Sequence, residues 1–320
     1  AKILRFAGDI NATDLQLANT DKRRKTWRAD SLKTKIYWRT LSQQAWQLDI
    51  RDLHLQIGDS KWQENTNIIV ANRGSDWRVA ASYLKPSDIL PLLNVLPDGI
   101  DTSAITAKAD YVPAGEFFDF EAIFDLTESP GLQLSTRFND VAIVLADRGI
   151  SVNGLDGEVT ITNRRSELLL ASNNVLADTG GFLRWPVQLD RLEGKLAIQF
   201  EDEKLSLETP ALVVNNQHIQ TVTRLYAEIF SDKKVFLDMQ TDLANGKGQY
   251  AQKYIPTSFV PPGLVDWLDN AFLGGFVPSG SFLFRGIAND YPFSECQGVM
   301  QALFDVEDGT LHFLDGWPDV

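Results

Sequence analysis

The chain has 320 residues, room for one large domain or two ordinary ones. Thirty Lys and Arg against 43 Asp and Glu give a formal net charge of −13. That balance excludes a nucleic-acid binder, which needs a basic stripe, and argues against adsorption to an anionic bilayer. At 44% hydrophobic and 23% charged, the chain is neither disordered nor membrane-embedded as a whole. No run reaches the ~18 consecutive apolar residues of a spanning helix. The single cysteine, Cys296, excludes an intrachain disulfide framework and a Cys-based zinc site.

In chain order, Ala1-Lys2-Ile3-Leu4-Arg5-Phe6 reads as a strand already under way, with no initiator Met and no signal-peptide pattern. With the aromatic turn Gly316-Trp317-Pro318-Asp319-Val320 at the other end, this suggests a segment of a longer protein. Alternation of apolar and polar residues then dominates. Leu15 and Leu17, Trp46, Leu48 and Ile50, Leu53, Leu55 and Ile57, and Trp77, Val79 and Ala81 follow it. So do Phe118 to Phe124, Val141 to Leu145, Leu196 to Phe200, Val235 to Met239, and Leu311 with Phe313. Period two means strands with one buried and one wet face, the pattern of antiparallel sheet. Roughly 16 strands are predicted, with no βαβ rhythm. Asp98-Gly99, Asn153-Gly154, Asp156-Gly157, Asn245-Gly246 and Asp308-Gly309 are predicted as the turns between them.

Two stretches break the alternation. Ser87 to Leu96 is predicted as a short helix with Ser87 as its N-cap. A better helix is predicted over about 261–273, with Leu264, Trp267, Leu268 and Ala271 on its apolar face and Gly274-Gly275 as its stop. It reads as a cap on the sheet. An internal repeat aligns Leu155-Asp156-Gly157-Glu158-Val159-Thr160-Ile161 with Leu192-Glu193-Gly194-Lys195-Leu196-Ala197-Ile198. At the same offset, Leu168 and Leu170 match Leu205 and Leu207. Stacked hairpins of this kind form a quasi-one-dimensional body. The chain therefore divides without a sharp boundary: residues 1–245 as repeated hairpins, and 246–320 as their continuation with the helix and closing strands.

Chemistry is sparse. His54, His218 and His312 are far apart in the chain, with His54 and His312 predicted on strands facing solvent. No Gly-x-Ser-x-Gly elbow occurs, and Gly246-Lys247-Gly248 lacks phosphate-loop spacing. Glu201-Asp202-Glu203 reads as a solvated turn and Lys22 to Lys25 as a basic loop. The residues suggest no catalytic site, no metal and no cofactor. What stands out is apolar surface with few helices to cover it. The sheet either closes into a sandwich or curls into an open gutter lined by Leu, Ile, Val and Phe. A gutter would hold acyl chains, since a sixteen-carbon chain gains roughly 12 kcal/mol on leaving water.

Specific residues follow Tyr254-Ile255-Pro256: Trp267-Leu268-Asp269-Asn270-Ala271-Phe272, Gly274-Gly275-Phe276-Val277 and Gly280-Ser281-Phe282-Leu283-Phe284-Arg285-Gly286. Then come Asp290-Tyr291-Pro292-Phe293, Gly298-Val299-Met300-Gln301-Ala302 and Trp317-Pro318. This run resembles the YhdP family of AsmA-like envelope proteins of Gram-negative bacteria, relatives of TamB. Leu155-Asp156-Gly157 and Phe182-Leu183-Arg184-Trp185-Pro186 resemble that family's repeats. The resemblance implies an all-β fold: an elongated, strongly twisted antiparallel sheet of repeated hairpins curled into an apolar groove. It further implies a periplasmic segment of an inner-membrane-anchored protein, with phospholipid acyl chains as the partner and no enzymatic activity. The groove would carry phospholipid toward the outer membrane. A scaffold for outer-membrane proteins, binding envelope partners with no lipid in the groove, is the competing expectation. Candidate lining residues are Val159, Ile161, Leu168, Leu170, Leu196, Ile198, Leu205, Leu207, Val235, Leu237, Phe282 and Phe284. Alternation alone leaves open which phase faces the groove.

Overall fold

The computed structural model describes residues 4–18, 26–42, 45–93, 95, 114–125, 131–201, 203–255, 262–313, 316 and 319. The expected turn Asp98-Gly99, the basic loop Lys22 to Lys25 and the Trp317-Pro318 pair lie outside them. The chain divides into two compact units: Ala1–Ile143 with Glu158–Asn163, and Val144–Gly157 with Arg164–Val320. The change of texture at Gly246 falls within the second.

The first unit is built from β1 (Arg5–Ala18), β2 (Thr26–Ser42), β3 (Ala45–Ile57), β4 (Ser60–Lys61) and β5 (Thr66–Arg73). It continues with β6 (Asp76–Leu84), β7 (Ala114–Asp125) and β8 (Leu132–Leu145) up to Ile143. The long strands pair antiparallel in chain order, β3 passing to β5 with the short β4 beside it. Opposed residues of an antiparallel pair share a face. One such row runs Phe6, Trp38, Leu48, Val70, Val79, Ala122, Leu134. The next runs Gly8, Ile36, Ile50, Ile68, Ala81, Phe120. Alternation along each strand thus becomes an apolar stripe across strands.

That alternation slips by one residue inside several strands. In β3, Trp46, Leu48 and Ile50 are one phase, and Leu53, Leu55 and Ile57 the other. Between them the register shifts, and Asp52 has φ 51°. In β8 the phase changes from Leu132, Leu134 and Phe138 to Val141 and Ile143, at Asp140 with φ 49°. An extra residue in the left-handed region restores the apolar side chains to the same face, bends the strand and increases its twist. Each unit's sheet is curled by this means.

Short polar side chains replace the ladder bonds that the slips remove. Thr34 Oγ1 donates to Arg51 O at 2.9 Å, and Thr136 Oγ1 to Phe118 O at 3.0 Å. The Asp52 N–H donates to Asn67 Oδ1 at 3.3 Å, and the Asn67 N–H to Ser82 Oγ at 3.0 Å. Thr34 and Thr136 are buried for this reason.

The buried cluster of this unit is Trp27, Ala29, Leu53, Leu55, Trp62 and Tyr83, with Ile89 and Leu92 of helix α1 (Pro86–Leu93) packed on it. The helix starts at Pro86, so Ser87 lies inside the first turn rather than capping it; proline suits that first position. Asp88 secures the helix. Its Oδ2 accepts from Trp62 Nε1 at 2.8 Å and Ser60 Oγ at 2.7 Å, and its backbone O accepts from Trp27 Nε1 at 2.9 Å. Trp62 is only 3% exposed, so Asp88→Ala strands a buried indole N–H. We expect it to cost about 1–3 kcal/mol in urea unfolding, with Asp88→Asn costing less.

The second unit contains β9 (Ile150–Ile161) up to Gly157, β10 (Arg165–Thr179), β11 (Val187–Phe200), β12 (Lys204–Asn215) and β13 (Gln220–Phe230). β14 (Val235–Lys247), helix α2 (Pro262–Ala271), β15 (Phe272–Ile287), β16 (Val299–Phe304) and β17 (Glu307–Leu311) complete it. β10 to β16 pair antiparallel in succession, and β17 also pairs with β15. The repeat is real at this level: both matched heptads lie on strands, each followed by a returning strand bearing the paired leucines.

Four expected turns are not turns. Asn153-Gly154 and Asp156-Gly157 lie within β9, Asn245-Gly246 within β14 and Asp308-Gly309 within β17. Gly154 (φ 80°), Asn245 (φ 54°) and Asp308 (φ 48°) use their tolerance of positive φ inside strands instead. Helix α2 likewise ends at Ala271, two residues short of expectation, and Gly274-Gly275 is no helix stop. It lies in β15, where the register against β17 shifts and Gly275 has φ 120°.

The fold class is therefore all-β, repeated antiparallel hairpins with short helices. Among the described residues, the largest side chains under 2% exposed are Val175, Thr66, Thr209 and Ser172. Two interdigitated sheets would fully bury Leu, Ile and Phe. Among the described residues neither unit shows such a sandwich core.

Candidate functional site

In the second unit the registers show which of the candidate residues share a face. One row runs Ile198, Leu207, Ala227, Leu237, Gly286 across five strands. Beside it run Phe200, Leu205, Ile229, Val235, and on the other side Leu225, Met239, Phe284, Met300. Leu168 opposes Leu196, two residues from Ile198, and Phe282 opposes Thr241. Leu168, Leu170, Leu196, Ile198, Leu205, Leu207, Val235, Leu237, Phe282 and Phe284 thus share one face. Leu225, Ala227, Ile229 and Met239, not singled out beforehand, complete it. Val159 and Ile161 lie in the segment Glu158–Asn163 of the first unit and are not among the residues assembled here.

Most of these side chains are half-buried. Leu170 and Ala227 are covered, at 7% and 5%, whereas Ile229 is 44% exposed and Phe200 48%. No described residue of this unit forms a second sheet over them. The opposite face is polar and cross-linked. Lys195 bridges Glu167 at 2.9 Å, Arg224 bridges Asp238 at 3.4 Å, and Tyr226 Oη donates to Glu228 at 2.8 Å. One side is richer in Leu, Ile, Met and Phe, and the other carries these paired charges together with exposed apolar residues such as Leu169 and Val222.

Slips continue on this face. In β10, Asn174 (φ 58°) separates the phase of Leu168 and Leu170 from that of Val175 and Ala177. Ser172 fills the gap, accepting from the Asp156 N–H at 2.8 Å and donating to Asp156 O at 3.0 Å. In β12 the shift falls between Thr209 and Leu212, at Pro210.

Helix α2 buries Ala271 completely, but Leu264 of the same predicted face is 45% exposed. Trp267 Nε1 donates to Phe313 O at 2.8 Å, so the helix seats on the segment after β17. Asp269 makes a two-oxygen pair with Arg184, whose guanidinium also lies 4.5 Å from the Trp185 ring centre. Hydrogen bonds from Arg184 hold the Asp269 carboxyl below the usual carboxylate range. A depressed carboxylate stabilises the fold above its ordinary pKa, and that contribution fades as pH falls through the folded value. We expect the Trp267 indole N–H to exchange faster below about pH 4. In Arg184→Ala it should exchange fast at every pH.

The histidines do not converge. His54 is half-buried on β3; His312 sits one residue past β17, its Nδ1 2.8 Å from Asp319. Among the described residues no cluster of His, Cys, Asp and Glu could hold a metal ion. His218, unremarkable in the sequence, is the well-built one. Its ring stacks on Tyr250 at 3.9 Å, and its Nδ1 lies 3.0 Å from Tyr254 Oη. Asn216 Nδ2 donates to the same hydroxyl at 2.7 Å. These groups wall a cavity of ≈ 230 Å³ at the strand ends, together with residues from Trp185 to Asp190. Two tyrosines four apart opposite an Asn-Gln-His turn were the only sequence signal, and nothing in the chain order says they meet.

No helix among the described residues is long and apolar enough to cross a membrane. No curated protein and no solved structure matches the chain. The family described as YhdP protein matches residues 1–320, the whole length. Together with the repeated hairpins and two-faced sheet, that match shows that the chain belongs to the YhdP family.

Proposed function

We propose that this chain is a periplasmic segment of a bridge-like lipid-transport protein, anchored in the inner membrane, in which the apolar sheet face guides phospholipid acyl chains toward the outer membrane. One observation supports the reading: rows rich in Leu, Ile, Met and Phe run from strand to strand, and among the described residues of the second unit no second sheet lies over them. Side chains so exposed gain by taking up alkyl chains, at about 0.8 kcal/mol per methylene buried. The track needs no chemistry from the protein, only a continuous lining and a curled wall. The paired charges on the opposite face keep it solvated. A photoreactive residue at Leu207 or Met239, irradiated with the protein in its native envelope, tests this. Crosslinked phospholipid supports the reading. Adducts to protein alone, with organic extracts empty, would favour a scaffold for envelope proteins.

A further inference from the structure

The cavity at the strand ends of the second unit differs in composition from both sheet faces. Trp185, Gln188, Asp190, Gln217, His218 and Lys253 line it, with Asn216 and Tyr254 behind. Its wall is rigidly bonded. Asn216 Oδ1 accepts the backbone N–H groups of His218 at 2.8 Å and Ile219 at 3.0 Å, so the amide nitrogen is the group that donates to Tyr254 Oη. The Tyr254 proton is then free for His218 Nδ1, and the imidazole carries its own proton on Nε2. Burial, with Lys253 and Lys247 nearby, pushes the His218 pKa down against a smaller opposing pull from Asp190. His218 therefore serves as a neutral N–H donor.

Of the remaining lining groups, the Lys253 ammonium lies 5.4 Å from the Tyr250 ring centre. Neither Asp190 nor Lys253 forms an ion pair, and neither Gln188 nor Gln217 makes a side-chain hydrogen bond, among the described residues. The cavity thus offers one ammonium, one imidazole N–H and two amides together with one carboxylate, beside an indole. A plain anion would leave Asp190 facing it uncompensated, and a neutral sugar would leave Lys253 so. A group bearing both charges satisfies both. The approach is graded as well. Along β13 the apolar face passes from Ile229 to Thr223 and then Thr221; on β14 Thr241, its Oγ1 2.9 Å from that of Thr223, is followed by Leu243 opposite Thr221. An amphiphile lying on that face with its tail toward Ile229 presents its polar end toward the His218 turn.

We propose that this cavity binds the headgroup of a zwitterionic phospholipid, its phosphodiester toward Lys253 and His218 Nε2 and its alkylammonium toward Asp190. The proposal rests on the lipid reading above and adds the headgroup class. With only three histidines in the chain, imidazole nitrogen NMR of the 320-residue protein tests it. Glycerophosphoethanolamine should shift His218 alone and raise its titration midpoint, because a nearby phosphate favours the imidazolium. Glycerophosphoglycerol, which lacks the ammonium, should bind about tenfold more weakly. Asp190→Asn should erase that preference, and Lys253→Gln should weaken both ligands about tenfold. The proposal is overturned if inorganic phosphate or glycerophosphoglycerol matches the zwitterion. A His218 signal that stays still at ligand concentrations on the order of 10 mM overturns it too. Acyl crosslinking at Met239 separates the two readings. If it persists while His218 is silent, only the headgroup site fails; if it is absent while His218 responds, the track fails and the pocket stands.

Discussion

Leu207→Glu and Leu237→Glu should keep the strand content of the chain and lose acyl crosslinking at Met239 by tenfold or more. Both residues sit in the row Ile198, Leu207, Ala227, Leu237. A carboxylate there faces any alkyl chain on the sheet, and withdrawing it from water costs several kcal/mol. Each kcal/mol is a factor of about five in occupancy. Folding should suffer much less, because both side chains are only half-buried and the new carboxylate turns to solvent when no lipid is present. The matched control is on the other face: Gln199→Glu, opposite Ser206, should change neither crosslinking nor stability appreciably. Unaltered crosslinking in both lining variants would remove this face from the track.

The second large effect concerns curl rather than lining. Gly154→Val should destabilise the second unit by about 2–3 kcal/mol in denaturant unfolding, since a β-branched residue is strained at φ 80° and its Cβ would stand 3.0 Å from Asn174 O. Asn174→Val, at φ 58°, meets the same backbone restriction one strand away and should cost about 1–2 kcal/mol. Asn174→Gly should be tolerated. Equal stability of the Val and Gly variants at 174 would mean that the strand accommodates a regular ladder there, and the slip would not be what bends it.

These positions also explain where the sequence was misread. Asn153-Gly154 and Asn245-Gly246 carry the chemistry of a tight turn, and positive φ is needed at Gly154 and Asn245. The same local preference serves a hairpin tip or a mid-strand slip, so residue type alone does not separate them. The phase change does. Ile50 followed by Leu53, and Leu170 followed by Val175, break strict alternation by one residue, and a left-handed residue, Asp52 or Asn174, stands at each break. Gly274-Gly275 was misleading in the same way: a glycine pair after an amphipathic run is a helix stop or a register shift, and pairing with β17 decided which.

The apolar face was legible as residue types, not as a surface. Alternation named Ile198, Leu207 and Leu237 individually, and cross-strand register put them in line. The cavity was not legible at all. His218, Tyr254 and Trp185 are tens of residues apart, and no periodicity connects a hairpin tip, the 3₁₀ segment Gly248–Tyr254 and an inter-strand turn.

Composition and period two determined that this chain is antiparallel sheet without a catalytic centre apparent in its motifs, because burial on one side of a pleated strand imposes a two-residue repeat. Whether that apolar side would be sealed or left bare was decided only by tertiary structure. Sealing requires a second layer at the right distance, and the same alternating strands serve equally well with or without one. The register of neighbouring strands lined up the apolar side chains, and among the described residues of the second unit no second sheet covers them.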